Sequence, residues 1–167
     1  MQMKKFNLMV TIAVFILICL NKLQAQTTQT KLNQVELMKQ FIGTWKSENN
    51  DTTTIIEDKL YGDGHEVYMK TETKGKIIWE ARTLIGYDKK NDMLIEALIA
   101  HNSPNITLSS IRFLSPNKFV GILLEEIPNP EKATEKDFYE LKSPDLMLNT
   151  YIKNNKVVSV DTYKRVN

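Results

Sequence analysis

Ten short β-prone runs, each closed by turn chemistry, fill the chain from residue 43 onward and constrain its fold more than any other feature. They span roughly 43–49, 53–60, 65–73, 76–87, 92–101, 105–114, 117–126, 136–142, 145–153 and 156–165. The connections hold residues that turn a backbone, among them Gly62-Asp63-Gly64, Lys74-Gly75, Asn102-Ser103-Pro104, Ser115-Pro116-Asn117 and Asn154-Asn155. Short strands joined in this way form an antiparallel sheet of hairpins. An open sheet of that size exposes unpaired backbone along both edges, and closing it on itself removes them. The expected fold class is therefore mainly β, an antiparallel up-and-down β-barrel of about ten strands.

Ahead of the first run, Leu32, Val35, Met38 and Ile42, with Leu37 and Phe41 beside them, recur at helical spacing. This predicts one short amphipathic helix ending at Gly43. The clearest two-residue alternation lies in the fourth run, where Ile77, Trp79, Ala81, Thr83, Ile85 and Tyr87 share a face that is expected to point inward. The stretches Met93 to Ile99 and Phe119 to Leu124 are apolar on both faces, so alternation does not assign an interior there.

The N-terminus has the order of a secretory signal peptide: Lys4 and Lys5, an apolar stretch from Leu8 to Leu20, then Leu23-Gln24-Ala25. That stretch of 13 residues falls short of the ~20 needed to span a bilayer. The expected organisation is a signal peptide over 1–25, a polar leader over 26–31 and one domain over 32–167, secreted or periplasmic and without a stable membrane anchor. Cys19, the single cysteine, is read as part of the signal core because Ile18 precedes it where lipidation requires a small residue. Loss of residues 1–25 removes Lys4, Lys5 and Lys22 but no acid, which turns a formal charge of +2 into −1. No basic run remains to engage nucleic acid. A mature chain without cysteine depends on its core, and 142 residues suffice for a single domain.

Phe41-Ile42-Gly43-Thr44-Trp45, at the junction of the helix and the first strand, resembles the G-x-W signature of the calycins, the lipocalins and their ten-stranded relatives. Leu84-Ile85-Gly86-Tyr87-Asp88, leading to Met93-Leu94-Ile95-Glu96, is similar to the G-Y-D turn of lipocalin-like domains of exported bacterial proteins. The likeness covers about residues 37–166. It implies that Trp45 packs across one end of the barrel, that Gly43 lets the backbone pass close by, and that the interior holds a small apolar or amphiphilic molecule.

The residues expected to line such a cavity are Trp79, Tyr87, Arg112 and Tyr151. Arg112 shares a strand face with Ile106, Leu108, Ser110 and Leu114, where a guanidinium meets a ligand carboxylate in bidentate fashion. The opposite face, Thr107, Ser109, Ile111 and Phe113, is the competing interior. Tyr163-Lys164-Arg165 is similar, in reversed order, to the Arg-x-Tyr with which fatty-acid-binding barrels hold a carboxylate. His65 and His101 belong to no ligand-spaced cluster, so no metal site is expected. Nitrobindin-like barrels hold haem through a late histidine, and none follows His101, so no cofactor is expected either. Glu125-Glu126 point to opposite faces, and Ser109-Ser110 lacks the context of a nucleophile elbow, so no catalytic residues are assigned.

The leading expectation is an exported lipocalin-like binding protein. Its rivals are a side-chain-filled barrel acting as an interaction module through the charged connection Pro128 to Glu135, and an enzyme on a cone-shaped α+β scaffold. Intact-mass analysis of the exported form is expected to give a chain beginning at Gln26, and a lipidated species retaining Cys19 reverses that expectation.

Overall fold

The computed structural model describes residues 31–166, so the expected signal peptide and residues 26–30 of the leader lie outside the described residues. The strands are β1 (Gly43–Asn49), β2 (Thr52–Tyr61), β3 (Gly64–Thr73), β4 (Lys76–Asp88), β5 (Met93–Ala100), β6 (Ile106–Ser115), β7 (Lys118–Leu123), β8 (Glu135–Ser143), β9 (Leu146–Lys153) and β10 (Lys156–Val166). Each pairs antiparallel with its sequence neighbour, and β1 pairs with β10 to close the barrel. The up-and-down architecture read from the turn spacing is the observed one. A barrel with a single short helix replaces the α+β alternative.

The helix α1 (Gln34–Met38) continues into a 3₁₀ turn, Lys39–Phe41. Asn33 caps it, its side chain accepting from the Glu36 amide at 3.2 Å, so one of the orphan donors of the first turn is satisfied. Buried Gln34 accepts from the Phe113 amide at 2.8 Å. That bond ties the helix to β6 beside the irregularity between Phe113 and Ser115, where the β6–β7 ladder shifts register. Met38 and Phe41 thereby enter the barrel end. Phe41 meets Phe113 and Phe119 with ring centroids 5.9 and 4.9 Å apart, and Phe119 stacks on Tyr139 at 4.9 Å. This aromatic floor closes the end of the barrel that carries the β6–β7 and β8–β9 turns.

Trp45 and Arg165 lie opposite one another in the β1–β10 seam. Trp45 is 1% exposed, its Nε1 donates to the Phe41 carbonyl at 2.8 Å, and the Arg165 guanidinium sits 4.1 Å above its ring. Arg165 also donates to the carbonyls of Ile42, Gln40 (2.9 Å) and Pro144 (2.9 Å). Gly43 has φ +132°, and a Cβ there would meet the Arg165 guanidinium at 2.5 Å. The glycine of the G-x-W pattern is thus required twice, by its backbone conformation and by the arginine packed on it.

Two sequence expectations change. The seventh run was expected to continue to residue 126, but β7 stops at Leu123 and Leu124–Glu126 form a 3₁₀ turn. Glu126 accepts from the Thr134 amide at 2.8 Å and its hydroxyl at 2.6 Å, which folds the chain back at that point. On β4 the inward face holds for Trp79, Ala81, Thr83 and Ile85, whereas Ile77 and Tyr87 at its ends are 53% and 41% exposed. The strand is longer than the barrel wall. Trp45→Ala removes a fully buried aromatic together with its hydrogen bond and the seat of Arg165. Chemical denaturation is expected to show a loss of ~3 to 5 kcal/mol, and a loss under ~1 kcal/mol would separate Trp45 from barrel closure.

Candidate functional site

Between the aromatic floor and the opposite end the barrel encloses a cavity of about 330 Å³, at the small end of the ~300 to 1,000 Å³ typical of ligand sites. Its lower wall is apolar, with Phe41, Trp45, Ile56, Ile85, Ile111 and Met147. Thr107 lines it and is exposed, so the cavity reaches solvent on the side of the β5–β6 connection. Two small residues leave space in the wall. Ser109 of β6 stands opposite Glu96, and Gly121 of β7 stands between Ile111 and Asp137. A Cβ on Gly121 would meet only ordinary contacts, at 3.8 and 3.9 Å from Asp137.

The charged part of the lining is acidic, with Asp58, Glu96, Glu135 and Asp137, and among the described residues no lysine, arginine or histidine lines the cavity. Asp58 lies 2.8 Å from His65 Nδ1, both buried. Burial pushes its carboxyl up, opposed by the hydrogen bond and charge of His65. Glu135, near the mouth, is held below the ordinary range by Lys153 at 2.7 Å and then by the Tyr151 hydroxyl. Asp137 is pushed up by burial, and among the described residues the one hydrogen bond to its side chain is long, 3.4 Å, from Asn149. Glu96 has no hydrogen-bond partner for its side chain among the described residues. Burial, followed by the charge of Asp137, raises it to about 7. Burial keeps the phenol of Tyr139, which also lines the cavity, neutral by raising it well above its usual value.

Of the residues expected at the site, Trp79 lines the cavity. Tyr151 stands opposite Asp137 in the β8–β9 ladder and reaches the site through its bond to Glu135. Tyr87 is on the correct strand parity but lies at the floor end, where its hydroxyl donates to Asp92 at 2.7 Å outside the cavity. Arg112 is on the outer face. Its neighbours Ile111 and Phe113 are buried, Ile106 and Leu108 on its own side are 60% and 43% exposed, and its guanidinium donates to the Asn91 carbonyl at 3.4 Å. The inner face of β6 is therefore the competing one, Thr107, Ser109, Ile111 and Phe113, and the structure does not bring Arg112 together with Trp79. Arg165, the arginine of the reversed Arg-x-Tyr, is engaged with Trp45.

Sequence reasoning passed over Glu96 and Asp137. The signal for Glu96 was present as a single acid in the middle of the apolar run Met93-Leu94-Ile95-Glu96-Ala97-Leu98-Ile99-Ala100. Asp137 alternates with Lys136 and Phe138, in phase with Tyr139 and Leu141, which marks it as inward once Leu141 is known to be buried.

Among the described residues no group of three or more histidines, cysteines or acids is placed to hold a metal ion, and no helix is long and apolar enough to cross a membrane. The class that fold and site define is a closed ten-stranded antiparallel barrel with an internal cavity that is largely apolar and carries acids from β2, β5 and β8. Compared with family models, with curated proteins and with solved structures, the chain matches none.

Raising the Glu96 carboxyl from 4.5 to about 7 has a definite consequence for stability. The folded state holds this proton over a range where the unfolded chain has released it, so stability falls as pH rises from about 4.5 to about 7 and is level above that. Glu96→Gln keeps the shape and removes the charge. Urea denaturation is expected to find the variant ~1 to 3 kcal/mol more stable than the wild type near pH 8 and nearly equal to it near pH 4. An equal difference at both values would place the carboxyl in solvent contact.

Proposed function

We propose that this protein is an exported, lipocalin-like binding protein that carries a small apolar or amphiphilic ligand inside its barrel. One observation carries the reading. The interior is not filled by its own side chains, because a cavity of about 330 Å³ remains above a tightly packed aromatic floor. Apolar surface kept out of contact with other protein atoms is a standing cost to the fold, and an apolar guest offsets it. The glycine at 121 keeps part of that volume open although a Cβ there would meet only ordinary contacts, and Ser109 adds a second small residue to the lining. The helix–strand junction with Gly43 and Trp45, followed by ten strands, supports the lipocalin-like assignment. The signal-like N-terminus supports export.

Titration of the mature chain with decanol, followed by tryptophan fluorescence, tests the reading because Trp79 and Trp45 both line the cavity. Saturable binding is expected, and Gly121→Leu, which places a side chain in the cavity without forcing the backbone, is expected to weaken it at least about tenfold, equivalent to ~1.4 kcal/mol. The circular dichroism of the variant should remain that of a strand-rich fold. Equal binding by a folded variant, or failure of the wild type to bind decanol and its charged analogues alike, refutes a cavity ligand.

A further inference from the structure

The cavity's carboxylates are satisfied to very different degrees. Asp58 has His65, and Glu135 has Lys153 and Tyr151. Asp137 has one long bond from Asn149, and Glu96 has none among the described residues. Glu96 and Asp137 come from strands three apart in the barrel order, β5 and β8, and face the same space across the small residues Ser109 and Gly121. Their charges act on each other. Glu96 is half-buried and lines the cavity, so its carboxylate faces the space a ligand would occupy, and an acceptor that the protein supplies with no donor keeps much of its desolvation cost. An unpartnered carboxylate at the edge of an apolar cavity is therefore a directed feature that the internal contacts do not use.

We infer that the ligand of this cavity is an amine, an alkyl- or arylammonium amphiphile whose charged head lies between Glu96 and Asp137 and whose tail rests against Phe41, Ile56 and Ile111. This rests on the ligand-binding reading above and adds the chemistry of the head group. An ammonium has three donors and no acceptor, which complements a site that offers acceptors on two sides. One positive charge also relieves the repulsion between the two carboxylates, which a neutral hydroxyl cannot do. A fatty acid would bring a further negative charge into a cavity lined by four acids and, among the described residues, no base, where low dielectric magnifies repulsion.

The groups facing Glu96 fix the sign of the pH dependence. They are Asp137 and Tyr139 from β8, with Ser109 and Ile85 as its ladder neighbours, and Asp58 and Glu135 elsewhere on the wall. None is a cation. Acidification protonates Glu96 while a simple amine keeps its charge, so amine affinity falls as pH drops below about 7, by up to about tenfold per unit. Binding near neutral pH drives the proton off Glu96 into solvent.

The experiment compares decylamine, decanol and decanoate on the mature wild-type chain by calorimetry near pH 8 and near pH 5.5, in two buffers of different ionisation enthalpy. Decylamine is expected to bind at least about tenfold more tightly than decanol near pH 8, to release protons on binding near pH 7, and to lose its advantage near pH 5.5. Decanoate is expected to bind most weakly. Glu96→Gln should abolish the preference for decylamine over decanol and the proton release. The wild-type comparison decides the matter even where the variant does not fold. Equal affinity for decylamine and decanol, or proton release that persists in a folded Glu96→Gln protein, overturns the amine assignment and leaves the cavity reading intact. Failure of all three ligands to bind overturns the cavity reading itself.

Discussion

The contact between Trp45 and Arg165 holds the rest of the architecture in place. It lies on the β1–β10 seam, the single pairing that joins the two ends of the strand order and converts a ten-stranded sheet into a barrel. The guanidinium covers the indole at 4.1 Å and at the same time donates to carbonyls at the end of the helical segment and in the β8–β9 turn. Carbonyls past a helix end have no intrahelical donors, so one planar side chain with several N–H groups serves helix end, seam and tryptophan together. A lysine has neither the fork nor the flat face to do this.

Everything above the seam follows from the plug that it anchors. The Phe41, Phe113 and Phe119 cluster occupies the floor, and toward the other end Trp79, Leu98 and Leu123 line the cavity together with Thr107 and Ser109. Thr52 with Thr73 and Thr54 with Thr71 form hydroxyl pairs across β2 and β3 at 3.2 Å, and Ser47, Asn49 and Asp161 border a second, polar hollow beside them. The cavity is apolar over most of its lining, with its acids set around the barrel on β2, β5 and β8. A well-packed floor lets the fold tolerate the unpartnered Glu96 above it, because the stability margin comes from elsewhere. Strain between local rules and global structure is expected to collect at functional sites, and Glu96 is where it collects here.

The outer surface explains why the wall was hard to assign. Leu84, Ala97 and Leu108 form one cross-strand row on the outside of β4 to β6, and Arg82, Ile99 and Ile106 form the next. Ile99 and Ile106 are directly opposed and both exposed. A strand with apolar residues on both sides has no two-residue alternation to read. Arg112 stands on this apolar outer face, and its companions made that face resemble an interior.

Residues 31–166 divide into helix and strands much as local chemistry alone dictates, because turn residues act over a few positions and the helical spacing before Gly43 needs no distant partner. Strand number was legible for the same reason, strand order followed from the need to remove sheet edges, and the role of Gly43 and Trp45 was legible through the resemblance to the G-x-W pattern. What only the tertiary structure decided is which face of β5, β6 and β7 looks inward, and hence that Arg112 does not line the cavity while Glu96 and Asp137 both do. The parity of a strand is a local property, but its sign is set by closure through Trp45 and Arg165, residues 120 positions apart in the chain.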